Sequence, residues 1–252
     1  MQTNVNELDK RIRVGAVSYL NTKPLIFGVK RSGLMDRIDL IEDYPSKIAS
    51  MLLNDEIDVG LVPVAVIPQM KQHFIITNYC IGADAEVASV ALFSEVPMEE
   101  IKKVVLDYQS KTSVNLAKIL LKEYWKKEVV FEYAKEDFLQ HINGTTSAVV
   151  IGDRALRLTN SSKYIYDLGL AWKSFTDLPF VFAAWVANKP LDDGFIDAFN
   201  RANAYGVQHI DEVLAEIDFA DYDLKKYYTK NMSYKLNEKK MEGLRMFIEK
   251  LK

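Results

Sequence analysis

Ile12-Arg13-Val14-Gly15-Ala16-Val17-Ser18-Tyr19-Leu20-Asn21-Thr22-Lys23-Pro24-Leu25 sets the pattern on which the chain is built. Residues 12–17 are mostly β-branched or small apolar types that suit a buried strand, and the run ends at Ser18. Thr22 then opens a helical segment with Pro24 in its first turn, where a missing N–H leaves no intrahelical bond unmade. Proline also keeps the residue before it extended, so the chain turns sharply from strand to helix. A strand that ends in a polar turn and passes into a helix is the repeating unit of α/β folds.

The same unit recurs on either side. Residues 38–41 read as a short strand, and residues 45–54 as a helix with Ile48, Met51 and Leu52 on one face. Residues 58–62 form a continuous apolar strand stopped by Pro63, and residues 64–70 look helical. A long strand over residues 87–93 opens a second series. Its strands are predicted at 104–107, 129–133 and 148–151, with helices at 112–126 and 135–142. The first of these helices offers Val114, Leu116, Ile119, Leu120 and Tyr124 as apolar positions. Residues 181–186 make another long apolar strand, and from residue 192 onward the pattern is helical.

Strands alternating with helices predict parallel-type α/β sheets covered on both faces. Two such series joined by two long strands predict two lobes with a double crossover. Lobe 1 is expected over residues 1–88 and 186–252, and lobe 2 over residues 89–185, with the terminal helices packed back on lobe 1. A ligand would lie in the cleft between the lobes, where strand C-termini and helix N-termini converge.

Composition excludes several classes of function. A chain of 252 residues that is 49% hydrophobic and 27% charged has the make-up of a soluble globular protein with a sizeable core. Its net charge of −3 and its scattered lysines, paired with acids as in Lys122, Glu123, Lys126, Lys127 and Glu128, exclude a basic stripe for nucleic acid. Residues 1–13 are polar and lack the apolar core of a secretory signal, and only the first ten residues look disordered. Nowhere is there an apolar run of 18 residues, so the expectation is a cytoplasmic protein without a membrane partner. The single cysteine, Cys80, lies in an apolar run and reads as a buried inert thiol. His73, His141 and His209 stand far apart with no second ligand at helical spacing, which argues against a metal centre. The glycine-rich dinucleotide and P-loop motifs and the Gly-x-Ser-x-Gly elbow are absent.

Four polar segments stand at the predicted strand ends. Ser18-Tyr19-Leu20-Asn21-Thr22 reads either as capping chemistry or as a carboxylate cradle facing the cleft. Gln109-Ser110-Lys111-Thr112-Ser113 lies at a helix start, whose free N–H groups and dipole favour an anion as readily as a simple cap. In Ile151-Gly152-Asp153-Arg154, Asp153 is either an N-cap or a cleft carboxylate. The aromatic stretch from Tyr166 through Trp172 to Phe180 is either core or an apolar wall for a ring-shaped ligand.

Val17-Ser18-Tyr19-Leu20-Asn21-Thr22-Lys23-Pro24-Leu25 resembles the N-terminal signature of the chorismate dehydratases of the futalosine route to menaquinone. Further segments resemble that family in the same order: Asp58-Val59-Gly60-Leu61-Val62-Pro63, Ser89-Val90-Ala91-Leu92-Phe93-Ser94, the Ser-x-Thr-Ser core within residues 107–121, Ile151-Gly152-Asp153, and residues 166–185. The resemblance spans roughly residues 11–250. It departs at Val64, where a small polar residue is usual, at Lys111, where arginine is common, and at Asp177, where glycine is common.

The resemblance implies a type II periplasmic-binding-protein-like fold and an enzyme that dehydrates chorismate with neither metal nor cofactor. It places Asn21 at the reacting centre and Ser18, Ser89, Thr112 and Ser113 around the substrate. Asn21 is a poor base, so it is expected to orient the substrate; the proton goes either to the substrate's own side-chain carboxylate or to a residue of the chain, for which Asp153 is a candidate. An anion-binding solute receptor of the same fold is the rival reading. So is the related 1,4-dihydroxy-6-naphthoate synthase, whose N-terminal signature differs.

Overall fold

The computed structural model describes residues 11–134 and 138–252. Most of the polar segment behind the expectation about export lies outside them, as do residues 135–137 of the helix expected over 135–142; of that stretch, Phe138–His141 forms a 3-10 turn.

The opening unit forms as its sequence requires: strand β1 at Ile12–Val17, a 3-10 turn at Leu20–Thr22 and helix α1 at Lys23–Arg31, with Pro24 in the first helical turn. Strand β2 at Ile38–Asp43, helix α2 at Pro45–Leu53 and strands β3 at Val59–Pro63 and β4 at Phe74–Ala83 complete the first series. In β3 every residue is buried, as an unbroken apolar run demands of an inner strand, whereas β2, with Asp39, Glu42 and Asp43, is half-exposed at the sheet edge. Residues 64–69 form a 3-10 turn.

The second series runs β5 at Val90–Ser94, β6 at Lys103–Leu106, α3 at Lys111–Ile119, β7 at Val130–Tyr133, β8 at Thr146–Ile151, α4 at Asp153–Leu158, β9 at Tyr164–Asp167 and α5 at Leu168–Thr176. The chain then returns through β10 at Phe180–Ala187 to α6 at Asp193–Gln208, α7 at Ile210–Ala215, α8 at Leu224–Lys226 and α9 at Glu238–Lys250.

Two five-stranded sheets result, in the orders β2-β1-β3-β10-β4 and β7-β6-β8-β5-β9. They form the two lobes of an α/β protein with a double crossover. Neither sheet is purely parallel, which corrects the expectation. β10 runs antiparallel to β3 and β4, and β5 antiparallel to β8 and β9. Both strands enter their sheet directly from the opposite lobe, without the crossover helix that a parallel neighbour requires. The lobe boundary expected between residues 185 and 186 is also corrected. It cuts through β10, which pairs with β3 and β4 along its length, so the return crossing precedes Phe180.

The terminal elements pack on the first lobe, where buried Asn203 of α6 accepts the Trp185 indole N–H of β10 at 2.9 Å and donates to the Phe199 carbonyl at 2.7 Å. The expected continuous helical tail is broken at residues 232–236, which lie along the edge of β4: Cys80 N–H donates to the Tyr234 carbonyl at 2.7 Å and Ser233 N–H to that of Gly82 at 2.8 Å. This edge contact sets Tyr227, Tyr228 and Tyr234 deep in the molecule. Trp172 belongs to the core, with ring centroids 5.2 Å from Phe180 and 6.2 Å from Phe247. Asp177 ends α5 in the left-handed region (φ 59°, ψ 12°), the conformation that favours glycine at a helix C-cap.

Candidate active site

A narrow cavity of about 40 Å³ lies between the lobes. The first lobe supplies Val17 and Tyr19 after β1, Asn21 and Thr22 before α1, Pro45 of α2, Pro63 ending β3, Ile81 of β4, and Phe182 and Ala183 of β10. Val90, Ser110, Ser113, Ile151 and Gly152 close it from the second lobe. A wider hollow of about 300 Å³ beside Arg31, Arg37 and Arg201 lies on the first lobe alone, away from the strand ends. The interlobe cavity is the one at which the C-terminal ends of β1, β3 and β8 meet.

None of the cavity-lining residues is charged. Three nine-residue helices start at its edge: Thr22 stands before α1 without a side-chain cap bond, Pro45 is the first residue of α2, and the Ser110 side chain caps α3. Each start presents the positive end of a helix dipole, a setting that favours a carboxylate. Ser110 Oγ accepts the Ser113 N–H at 3.2 Å and lies 3.1 Å from Ser113 Oγ.

Asn21 projects from the 3-10 turn between β1 and α1. Its Oδ1 accepts the buried Thr22 hydroxyl at 3.1 Å, and its NH2 group has no protein partner among the described residues. An amide fixed at its oxygen and free at its nitrogen is a donor for a ligand oxygen. Tyr19 stands beside it, with its ring against Gly152. A Cβ on Gly152 would come within 3.0 Å of Tyr19 Cδ2 and Cε2, and Gly152 itself sits at φ 63°, ψ −145°.

A polar chain supports this wall. The Tyr19 hydroxyl donates to Gln109 Oε1, which also accepts from Arg154 Nη2 at 2.8 Å, and Arg154 Nη2 reaches Asp107 Oδ2 at 2.7 Å. Burial raises the Asp107 carboxyl above its ordinary value, with Arg154 opposing the shift, and burial likewise pushes the Tyr19 hydroxyl well above its own. Tyr19 therefore acts as a neutral donor at physiological pH.

The residues singled out in the sequence divide into two groups. Asn21 and Ser113 line the cavity. Ser18, Ser89, Thr112 and Asp153 are not among its lining residues. Ser18 is exposed at the end of β1, its N–H donating to the Asp43 carbonyl at 3.0 Å. Ser89 is fully buried at the crossing into β5 and accepts the Tyr227 hydroxyl at 2.7 Å. Thr112 is also fully buried, and its Oγ1 accepts the Ala65 N–H of the opposite lobe at 3.1 Å. Asp153 opens α4 as its first residue rather than its cap, and Oδ1 accepts the Leu20 N–H of the opposite lobe at 3.0 Å. Burial raises the Asp153 carboxyl above its ordinary value, opposed by that hydrogen bond.

Of the departures, Val64 is buried outside the cavity, and Lys111 Nζ reaches Gln69 Oε1 at 3.4 Å across the lobes. Phe182 and Pro45 were not identifiable as site residues, because an apolar residue in a strand or a proline at a helix start carries no local mark of a ligand. Among the described residues no three His, Cys, Asp or Glu side chains gather in a metal-binding group, and no helix is long and apolar enough to cross a membrane.

A family model described as menaquinone biosynthesis matches residues 12–252. Chorismate dehydratase from Thermus thermophilus is 26% identical over 263 residues, covering 94% of each chain. Among solved structures, a protein of Archaeoglobus fulgidus superposes with a TM-score of 0.70 at 14% identity, covering 95% of this chain and 96% of its own. A Candida albicans gene product described as having the generic periplasmic binding protein fold gives a TM-score of 0.59 at 12% identity, covering 94% and 90%. The likeness to these two structures is one of fold.

Proposed function

We propose that this chain, which belongs to the menaquinone biosynthesis family, is a chorismate dehydratase that works in the cytoplasm. The Asn21 amide carries the reading: it is free at its nitrogen, faces an uncharged cavity ringed by helix N-termini, and lies in the segment that resembles the family signature. The curated Thermus thermophilus relative supports the choice of substrate.

Chorismate carries a ring carboxylate, a carboxyvinyl ether at C3 and a hydroxyl at C4. The C3–H bond breaks, its electron pair forms the C3–C4 double bond, and the C4–O bond breaks. The proton and the departing hydroxide leave as water, and the ring becomes that of 3-[(1-carboxyvinyl)oxy]benzoate. Charge building at C3 spreads toward the ring carboxylate, and aromatisation drives the step, so the reaction needs no electron acceptor.

The protein's part is to hold two carboxylates and meet developing charge in a dry site. The α2 and α3 starts and the Ser110 and Ser113 hydroxyls suit the carboxylates, and the Asn21 NH2 suits the departing C4 oxygen. An amide has no useful pKa near neutrality, so Asn21 orients, and the substrate's own side-chain carboxylate takes the proton.

The test is purified protein with chorismate in EDTA, the aromatic product being followed by NMR. Product formation that is lost in Asn21→Ala, while that variant folds normally, is the expected result. Absence of product from the wild-type protein would refute the assignment. Chorismate binding without turnover would then indicate a receptor, and neither binding nor turnover would point to the related naphthoate synthase.

A further inference from the structure

The Leu20–Asn21 backbone is held by side chains from remote parts of the chain. Leu20 N–H donates to Asp153 Oδ1 at 3.0 Å, across 133 residues and from one lobe to the other. The Leu20 carbonyl accepts the Tyr228 hydroxyl at 3.0 Å, across 208 residues, and the Asn21 carbonyl accepts the Tyr234 hydroxyl at 3.0 Å, across 213. Thr22 Oγ1 fixes the Asn21 side chain at 3.1 Å. A three-residue 3-10 turn has little rigidity of its own, so these bonds decide where the Asn21 amide points.

We propose that Asp153, Tyr228 and Tyr234 are positioning residues that fix the Asn21 amide in the cleft, and that Asp153 makes this geometry depend on closure of the lobes. Asp153 is carried by α4 of the second lobe and Leu20 by the first, so the Leu20 N–H bond exists only when the lobes are together. Tyr228 and Tyr234 are 3% and 4% exposed, and burial keeps both hydroxyls protonated and donating. Neighbouring Tyr227 binds Ser89 at the crossing between lobes, so one short segment touches both the hinge and the Asn21 turn.

Asp153 acts here as a hydrogen-bond acceptor and not as a base. Its carboxylate is not a wall of the cavity, and its only hydrogen bond among the described residues is to the Leu20 N–H. An asparagine at this position keeps an acceptor oxygen for that N–H but has no basic carboxylate.

The inference rests on the proposed chorismate reaction, and two measurements keep their fates separate. With chorismate, Asp153→Ala is expected to lower kcat by about 10–100-fold, the scale of misplacing a reacting group, with KM changed less than about threefold. Asp153→Asn is expected to restore kcat to within about threefold of wild type with an unchanged pH profile, because the acceptor survives. Tyr228→Phe and Tyr234→Phe are each expected to lower kcat by about 3–10-fold, the equivalent of one net hydrogen bond.

Equal losses in Asp153→Asn and Asp153→Ala would overturn the proposal in favour of a base. Independently of substrate, hydrogen exchange at the Leu20 amide is expected to accelerate in Asp153→Ala and to stay slow in Asp153→Asn. Equal exchange in the two variants would overturn the proposal even for a protein inactive on chorismate, and inactivity alone would count against the function only.

Discussion

Replacing Gly152 with alanine tests the cleft wall most directly. Gly152 combines a positive φ of 63° with ψ −145°, a region populated essentially by glycine alone. A residue forced into such a region stores about 1–3 kcal/mol. A central value of about 2 kcal/mol lowers Tm by about 4–8 °C for a chain of this size. The new Cβ would also stand 3.0 Å from two carbons of the Tyr19 ring, so the ring or the backbone must shift by a few tenths of an ångström. Tyr19 lines the cavity beside Asn21 and is tied through Gln109 to Arg154, so the shift reaches the site. We expect kcat on chorismate to fall by at least about tenfold.

Gly144→Ala is the control, because Gly144 also has positive φ, 51°, but nothing lies within 4 Å of a Cβ there. It should lose about 1 kcal/mol, or about 2–4 °C in Tm, and keep full turnover. Differential scanning fluorimetry and initial rates measure both variants. A Gly152→Ala protein that melts within about 1 °C of wild type and turns over normally would refute the reasoning.

Burial alone would raise the Asp58 carboxyl, but hydrogen bonds from Arg13 and Lys189 outweigh it and hold the group well below the usual carboxylate range. Its stabilisation is therefore present above the unfolded pKa of about 4 and lost as pH falls below it. With both cationic partners substantially exposed, Asp58→Asn should cost about 1.5–3 kcal/mol at pH 7, and urea melts should show the gap narrowing toward pH 3. Asp177→Gly should raise Tm by about 1–3 °C, since the left-handed C-cap suits glycine and the lost contact to Lys173 is solvent-exposed; a lower Tm would show that the contact outweighs the backbone. Burial pushes the Cys80 thiol up to about 12, so a disulfide reagent at pH 8 should leave it untouched in the folded protein and modify it fully in guanidinium.

The amino-acid sequence by itself determined the two-lobed class, the place of the Asn21 turn and the described strands other than β4 and β9, which its patterning did not single out. Apolar runs such as residues 59–63 and 180–187 leave an inner strand little alternative, and Pro24 marks a helix start through its own ring. The direction of β5 and β10 was not legible, because periodicity reports which faces are buried and is blind to strand polarity. The division of labour among the hydroxyls and carboxylates was equally hidden. Ser110, Ser113, Ser89 and Thr112 look alike as small polar residues near strand ends. Yet Ser110 and Ser113 face the cavity, while Ser89 is bound by Tyr227 and Thr112 by the Ala65 N–H. Asp153 likewise looked like a cap or a cleft acid until its partner, the Leu20 N–H of the other lobe, was in place. A hydroxyl or carboxylate is spent on whichever donor or acceptor the folded chain brings within about 3 Å, and when that partner is more than 100 residues away only the tertiary structure decides it.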